Sequence, residues 1–133
     1  QILAQALGGK VEKFSGGWQV GPTDYQGVGG TEDRIMAWHQ DQITELPEGA
    51  TVLATSDLCA NAMLVYGNKA LTVQPHPEFN ASFFGDLGEA RRDVLPEHIS
   101  IGAEARIGET LTSLDFAQQF DDFFNRKYAP RTN

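Results

Sequence analysis

Cysteine is nearly absent: Cys59 is the only one in 133 residues, so no disulfide can close within the chain. That composition favours a reducing compartment, and a cytoplasmic setting is expected. Long apolar runs are missing too. No segment approaches the ~20 residues a membrane-spanning helix needs, and residues 1–7 have neither the basic leader nor the apolar stretch of a signal peptide, so no membrane partner is expected. Positive charge is scarce: Lys and Arg number 10 against 18 Asp and Glu, for a net charge of −8. Such a surface repels phosphate backbones and argues against nucleic acid as a partner. The acidic residues are spread out, as on a solvated surface rather than a binding tail. The three histidines (His39, His76 and His98) are widely and irregularly spaced, and Cys59 does not complete a zinc set with them. Gly27-Val28-Gly29-Gly30 is not followed by Lys-Ser/Thr and is not a phosphate loop. No metal and no cofactor is therefore expected.

What is present is ordinary globular material, 41% hydrophobic and 21% charged, long enough for one domain or part of one. Residues 1–7 read as a helix that begins without an N-cap, which leads us to expect a longer native chain. Gly8-Gly9 stops that helix. Residues 10–14 and 18–20 read as short strands, 21–32 as a glycine-rich loop, 34–38 as a buried strand and 46–49 as a turn. Three more strands are expected at 51–55, 62–66 and 70–73, the last two joined by a hairpin at Gly67-Asn68. The remainder turns helical. Asn80 can cap a helix whose apolar face is Phe83, Phe84, Leu87 and Val94, ended by Leu95-Pro96. Residues 98–111 lean towards a helix. Thr112 to Asp115 has the spacing of a capping box, opening a helix with a stripe of Phe116, Phe120, Phe123 and Phe124 that suits core packing.

The segment richest in chemistry is Val73-Gln74-Pro75-His76-Pro77-Glu78-Phe79. Each proline restricts the residue before it to extended conformations, so Gln74 and His76 are held extended. Side chains two apart then share a face, ~6.6 Å apart along the chain. Glu78 can reach back to one imidazole nitrogen of His76 and leave the other free. That is the arrangement of a general base with a carboxylate orienting it. Cys59, in Asp57-Leu58-Cys59-Ala60-Asn61, has no glycine-rich elbow and no following helix to activate it, and is not expected to be a nucleophile. Trp38 and His39 fit a core aromatic and a surface turn as well as they fit a site.

Several motifs together resemble the second half of a class I glutamine amidotransferase domain, of the kind found in GMP synthase. Gln1-Ile2-Leu3-Ala4-Gln5-Ala6-Leu7-Gly8-Gly9-Lys10-Val11 is similar to the stretch that begins at the glutamine of the family's nucleophile elbow. Trp38-His39-Gln40-Asp41 through Leu46-Pro47-Glu48-Gly49 resembles its His-Gly-Asp…Leu-Pro-x-Gly stretch, with Gln40 in place of the glycine. Pro75-His76-Pro77-Glu78 resembles its catalytic His-Pro-Glu, and Glu89-Ala90-Arg91-Arg92 the Arg-rich helix beyond.

The resemblance implies an α/β fold of flavodoxin-like type, an open and mostly parallel sheet with helices on both faces, present only in part. Residues 1–133 would be the C-terminal part of a single glutamine amidotransferase domain. It implies a Cys-His-Glu mechanism with the cysteine four residues before Gln1, His76 as the base and Glu78 orienting it. Gln1 and His39 would contact substrate. Glutamine is the implied substrate, with a synthetase as a possible partner receiving the ammonia. Gly17-Trp18-Gln19-Val20-Gly21 resembles free-standing members of the family whose acceptors are often unassigned, so two alternatives remain open at this point: a γ-glutamyl peptide hydrolase using the same triad, and a non-catalytic fragment or regulatory domain. The 133 residues alone, lacking the nucleophile, are expected to be inactive.

Overall fold

The computed structural model describes residues 1–125. Helix α1 (Ile2–Ala6) leads into strands β1 (Lys10–Lys13), β2 (Gln19–Gly27), β3 (Glu32–His39), β4 (Asp41–Glu45), β5 (Ala50–Ser56), β6 (Cys59–Tyr66) and β7 (Ala70–Val73). Helices α2 (Ala81–Ala90), α3 (Glu97–Arg106) and α4 (Ser113–Phe124) complete the described chain. Five strands form one sheet in the order β3-β2-β5-β6-β7, while β1 and β4 form a separate two-stranded ribbon.

Every strand pair among the described residues is antiparallel, so the mostly parallel sheet implied by the sequence is not what these residues build. Connection length explains why. A parallel pair needs a crossover of roughly a dozen residues or more, whereas hairpins need only a few. Two residues separate β5 from β6, and three separate β6 from β7. The other half of the expectation holds, because helices pack on both faces. Neighbouring residues point to opposite sides of a strand. Ile35 and Met63 pack with Phe116 of α4, Leu64 packs with Ala4 of α1, and Met36 packs with Phe84 of α2 and Ala103 of α3.

Of the stretch 21–32 only residues 28–31 form a connecting turn; the rest is strand. β2 runs through Gly21 and Pro22 to Gly27, pairing with β3 from Gln19↔His39 to Gln26↔Glu32. A proline is tolerated there because β2 pairs with β5 only at Gln26 and Gly27, so Pro22 has no second ladder to supply with an N–H. Gly21 takes a left-handed φ of 103°, where a Cβ would also press on Ala103 of α3 at 3.4 Å. Strand β4 was not foreseen. It pairs only with β1, and a two-stranded ribbon half open to solvent leaves a weak apolar pattern.

The helical end differs in detail. Asn80 does cap α2, accepting from Phe83 N at 2.8 Å, but α2 stops at Ala90 and residues 91–94 form turns before Leu95-Pro96. Of its expected face, Phe84 is buried, whereas Phe83 and Val94 are about half exposed. The capping box does not form. Thr112 Oγ1 instead accepts from Arg34 N at 2.9 Å and donates to Asp33 Oδ1 at 3.0 Å, tying the start of α4 to β3. Two hydrogen bonds to a neighbouring strand outweigh one local cap. Phe116 and Phe123 are buried as expected, while Phe124 at the helix end is 74% exposed.

Gly9 marks a close approach of α1 to the β4–β5 turn. A Cβ there would lie 2.7 Å from Glu45 O and 2.9 Å from Ala4 O, both backbone atoms that cannot turn aside. Gly9→Ala is therefore expected to cost about 1–3 kcal/mol, the usual range for overpacking. A lowered urea midpoint with unchanged m-value would show it; an unchanged midpoint would mean that the α1 contact is loose.

Candidate active site

The chain leaving β7 first keeps to its neighbour, Gln74 N donating to Ala62 O at 2.7 Å. Two residues later it crosses to the opposite edge of the sheet, where His76 N donates to Met36 O of β3 at 2.8 Å. The sheet is curled far enough for its two edges to share this bridge. Pro75 and Pro77 flank the one residue that makes it and have no N–H to extend it into a ladder. His76 is thereby anchored by its own main chain at a strand end.

The expected pair forms, but across a turn and not along an extended chain: Phe79 N donates to His76 O at 3.1 Å, which makes Pro77 and Glu78 the central residues of a β-turn. His76 Nδ1 lies 2.7 Å from Glu78 Oε1, so Nδ1 carries the proton towards the carboxylate and Nε2 is the nitrogen left for chemistry. A second contact was not anticipated. The Phe79 ring stacks on the imidazole, centroids 4.3 Å apart and planes within 10°. Phe83 backs Phe79 at 4.7 Å. The signal in the sequence was only an apolar residue next to Glu78.

His76 lines a depression of about 660 Å3 together with Gln1, Trp18, Trp38, His39, Gln40, Asp41 and Gln74. The structure thus brings Gln1, His39 and His76 around one pocket, with Glu78 behind His76 and away from the lining. Gln1 Nε2 donates to the Asp41 carbonyl at 2.7 Å, and Gln74 Nε2 reaches the same oxygen at 3.3 Å. The Asp41 main chain therefore gathers α1, β4 and the segment after β7 at the pocket floor, a role no sequence pattern disclosed.

His39 is the last residue of β3 and not part of a loop; it is 6% exposed, and neither ring nitrogen has a hydrogen-bond partner in the protein. Burial drives its pKa down to about 4. The Asp41 backbone works against that fall without closing a well-formed hydrogen bond, and the nearby His76 adds a smaller push downward. His39 is thus neutral at pH 7. Its folded value lies below the unfolded 6.5, so the unfolded chain takes up the proton first. The stability His39 allows is full above about pH 6.5 and is lost as pH falls towards 4, by as much as about 3 kcal/mol. His39→Asn should lose less stability than the wild type between pH 7 and pH 4.5 in denaturant melts. Parallel losses would mean that His39 is already hydrated.

Cys59 is buried and its thiol is pushed up to about 11 by that burial, so it is protonated and inert at neutral pH. Among the described residues no three His, Cys, Asp or Glu side chains are grouped so as to hold a metal ion, and no helix is long and apolar enough to cross a membrane.

A His–Glu pair anchored at a strand end, beside a pocket in an α/β chain, is an arrangement fitted to general acid–base chemistry. The chain is homologous to glutamine amidotransferases and γ-glutamyl peptidases, and its structural neighbours include glutamine amidotransferases. No protein-family model matches it. It is 41% identical over 100 residues to γ-glutamyl peptidase 5 of Arabidopsis thaliana, covering 65% of this chain and 40% of that protein. It is 33% identical over 94 residues to the glutamine-hydrolysing GMP synthase subunit of Methanopyrus kandleri, covering 64% and 50%. The crystal structure of a glutamine amidotransferase from Thermotoga maritima superposes with a TM-score of 0.68 at 27% identity, covering 93% of this chain and 55% of that one. The chain thus spans two fifths to one half of the length of the two curated relatives.

Proposed function

We propose that residues 1–133 are the C-terminal part of a single glutamine amidotransferase domain and carry the acid–base half of its glutaminase site. The observation that supports this most directly is the 2.7 Å pairing of His76 Nδ1 with Glu78, on a histidine that lines the same pocket as Gln1 and His39. On this reading a cysteine outside these residues attacks the side-chain amide carbon of glutamine. His76 Nε2 takes the thiol proton and returns it to the departing nitrogen, so that ammonia leaves and a γ-glutamyl thioester remains. His76 then deprotonates water, which attacks the thioester; glutamate is released and the thiol regains its proton. Glu78 holds the imidazole in the required tautomer and faces the imidazolium formed in both steps. Gln1 and His39 flank the glutamyl group. By themselves the 133 residues are inactive. The open, mostly parallel flavodoxin-like sheet belongs to the whole domain, with its parallel strands supplied by the remainder. The nitrogen would pass to a synthetase partner, as the name of the GMP synthase relative suggests. A reducing cytoplasm suits a thiolate enzyme.

A second reading is favoured by a specific observation. Two relatives named γ-glutamyl peptidase are 41% identical over 100 residues and 46% over 53, and a third is 33% identical, against 32% to 35% for relatives named GMP synthase. The same triad would then release the amine of a γ-glutamyl peptide instead of ammonia. Assaying the cysteine-containing full domain separates the readings: ammonia from glutamine supports the first, amine release from γ-glutamylcysteinylglycine the second. A folded domain that cleaves neither overturns both and leaves a non-catalytic, regulatory role.

A further inference from the structure

We infer that Phe79 is a positioning residue for His76, holding the imidazole plane so that Nε2 faces the pocket. The inference rests on the reading of His76 as the base. Glu78 contacts a single atom of the ring. One hydrogen bond fixes a point but leaves the ring free to swing about the Nδ1–Oε1 direction, and the Glu78 carboxylate that makes it is 61% exposed and itself lightly held. A second constraint has to come from the ring face, and Phe79 provides it: centroids at 4.3 Å and near-parallel planes leave the imidazole little rotation about its Cβ–Cγ bond before it meets the phenyl ring.

Phe79 can do this because it is itself held. It packs into the cluster around Met36 and Phe84, Phe83 in the first turn of α2 lies 4.7 Å behind it, and its N–H donates to His76 O at 3.1 Å. Met36, whose carbonyl receives His76 N, belongs to the same cluster. The backbone and the face of His76 are thus referred to one apolar unit, which Asn80 secures by capping α2 at Phe83. The π face also lies against the ring that becomes cationic when His76 takes up a proton, an arrangement that attracts positive charge.

Two variants and two measurements test this in the cysteine-containing domain. Phe79→Leu keeps an apolar side chain without a ring face; Phe79→Tyr keeps the face. In Phe79→Leu we expect kcat for γ-glutamyl amide hydrolysis to fall about tenfold with KM within about twofold, because the pocket wall is untouched while the reactive orientation is populated less often. Phe79→Tyr should stay within about twofold of the wild type. By NMR, the upfield ring-current displacement of the His76 ring protons should be present in the wild type and Phe79→Tyr and lost in Phe79→Leu, with the methyl shifts of Leu64 and Ile43, in a cluster Phe79 does not join, unchanged as the check on folding. A Phe79→Leu enzyme with wild-type kcat overturns the inference, as does a rise in KM alone. So does a Phe79→Tyr enzyme as impaired as Phe79→Leu while both are folded. A wild-type domain that hydrolyses no γ-glutamyl donor defeats the proposed function and this role with it, even if the ring-current signature is found.

Discussion

His76→Asn is expected to lower the rate of γ-glutamyl amide hydrolysis by roughly three orders of magnitude or more, measured in the cysteine-containing domain. The bridge to Met36 is made by the His76 main chain, so asparagine preserves the anchor and the curl of the sheet. What it removes is a group that can accept a proton at Nε2 and return it to the leaving nitrogen. Without that group no base deprotonates the thiol, and the amide nitrogen must depart unprotonated. Because base and nucleophile act as one unit, the residual rate should resemble that of a variant lacking the cysteine, and combining the two changes should add little. KM should change much less than kcat, since the main-chain scaffold of the pocket remains. A His76→Asn enzyme within tenfold of the wild type would assign the base to another residue, with His39 the nearest candidate in the same lining.

Glu78→Gln is expected to have the second-largest effect, a fall in kcat of about ten- to a hundredfold. The neutral amide can offer its N–H to Nδ1 and so favour the tautomer that places the proton on Nε2, where it blocks base catalysis. It also removes the charge facing the imidazolium. In a buried triad the corresponding change costs roughly ten-thousandfold. A smaller figure is expected here because the Glu78 side chain is 61% exposed, and water can both solvate the imidazolium and permit tautomer exchange. Raised salt should weaken the pair and narrow the gap between variant and wild type. A Glu78→Gln enzyme within twofold of the wild type would reduce the 2.7 Å contact to a surface ion pair of little consequence.

The contact between His76 and Glu78 could be read before the fold was known, for a local reason. Two prolines confine Gln74 and His76, and Pro77 also suits the first central position of the turn that carries Glu78, so the pairing of His76 with Glu78 depends on five consecutive residues and hardly at all on the rest of the chain. The same holds for the cap at Asn80 and the hairpin at Gly67, where Gly67 takes a left-handed φ of 57°. Expectations failed where distant partners decide. Gly21 and Pro22 look like a loop in isolation, yet β3 recruits them into a strand. Thr112 has the spacing of a capping box, but Asp33 and Arg34 compete for its hydroxyl and win.

The sequence by itself determined that His76 and Glu78 would pair, because backbone restriction by proline acts within a few residues. It also determined that the lone cysteine could not be an activated nucleophile. Only the tertiary structure decided that the sheet built here is antiparallel and curled, that its edges meet at His76 and Met36, and that Gln1, His39 and Asp41 join His76 at one pocket. It alone placed Phe79 on the imidazole face. These depend on hydrogen bonds and packing between residues forty or more positions apart, such as Gln1 with Asp41 and Met36 with Phe79, and such contacts leave no periodic trace in the chain that makes them.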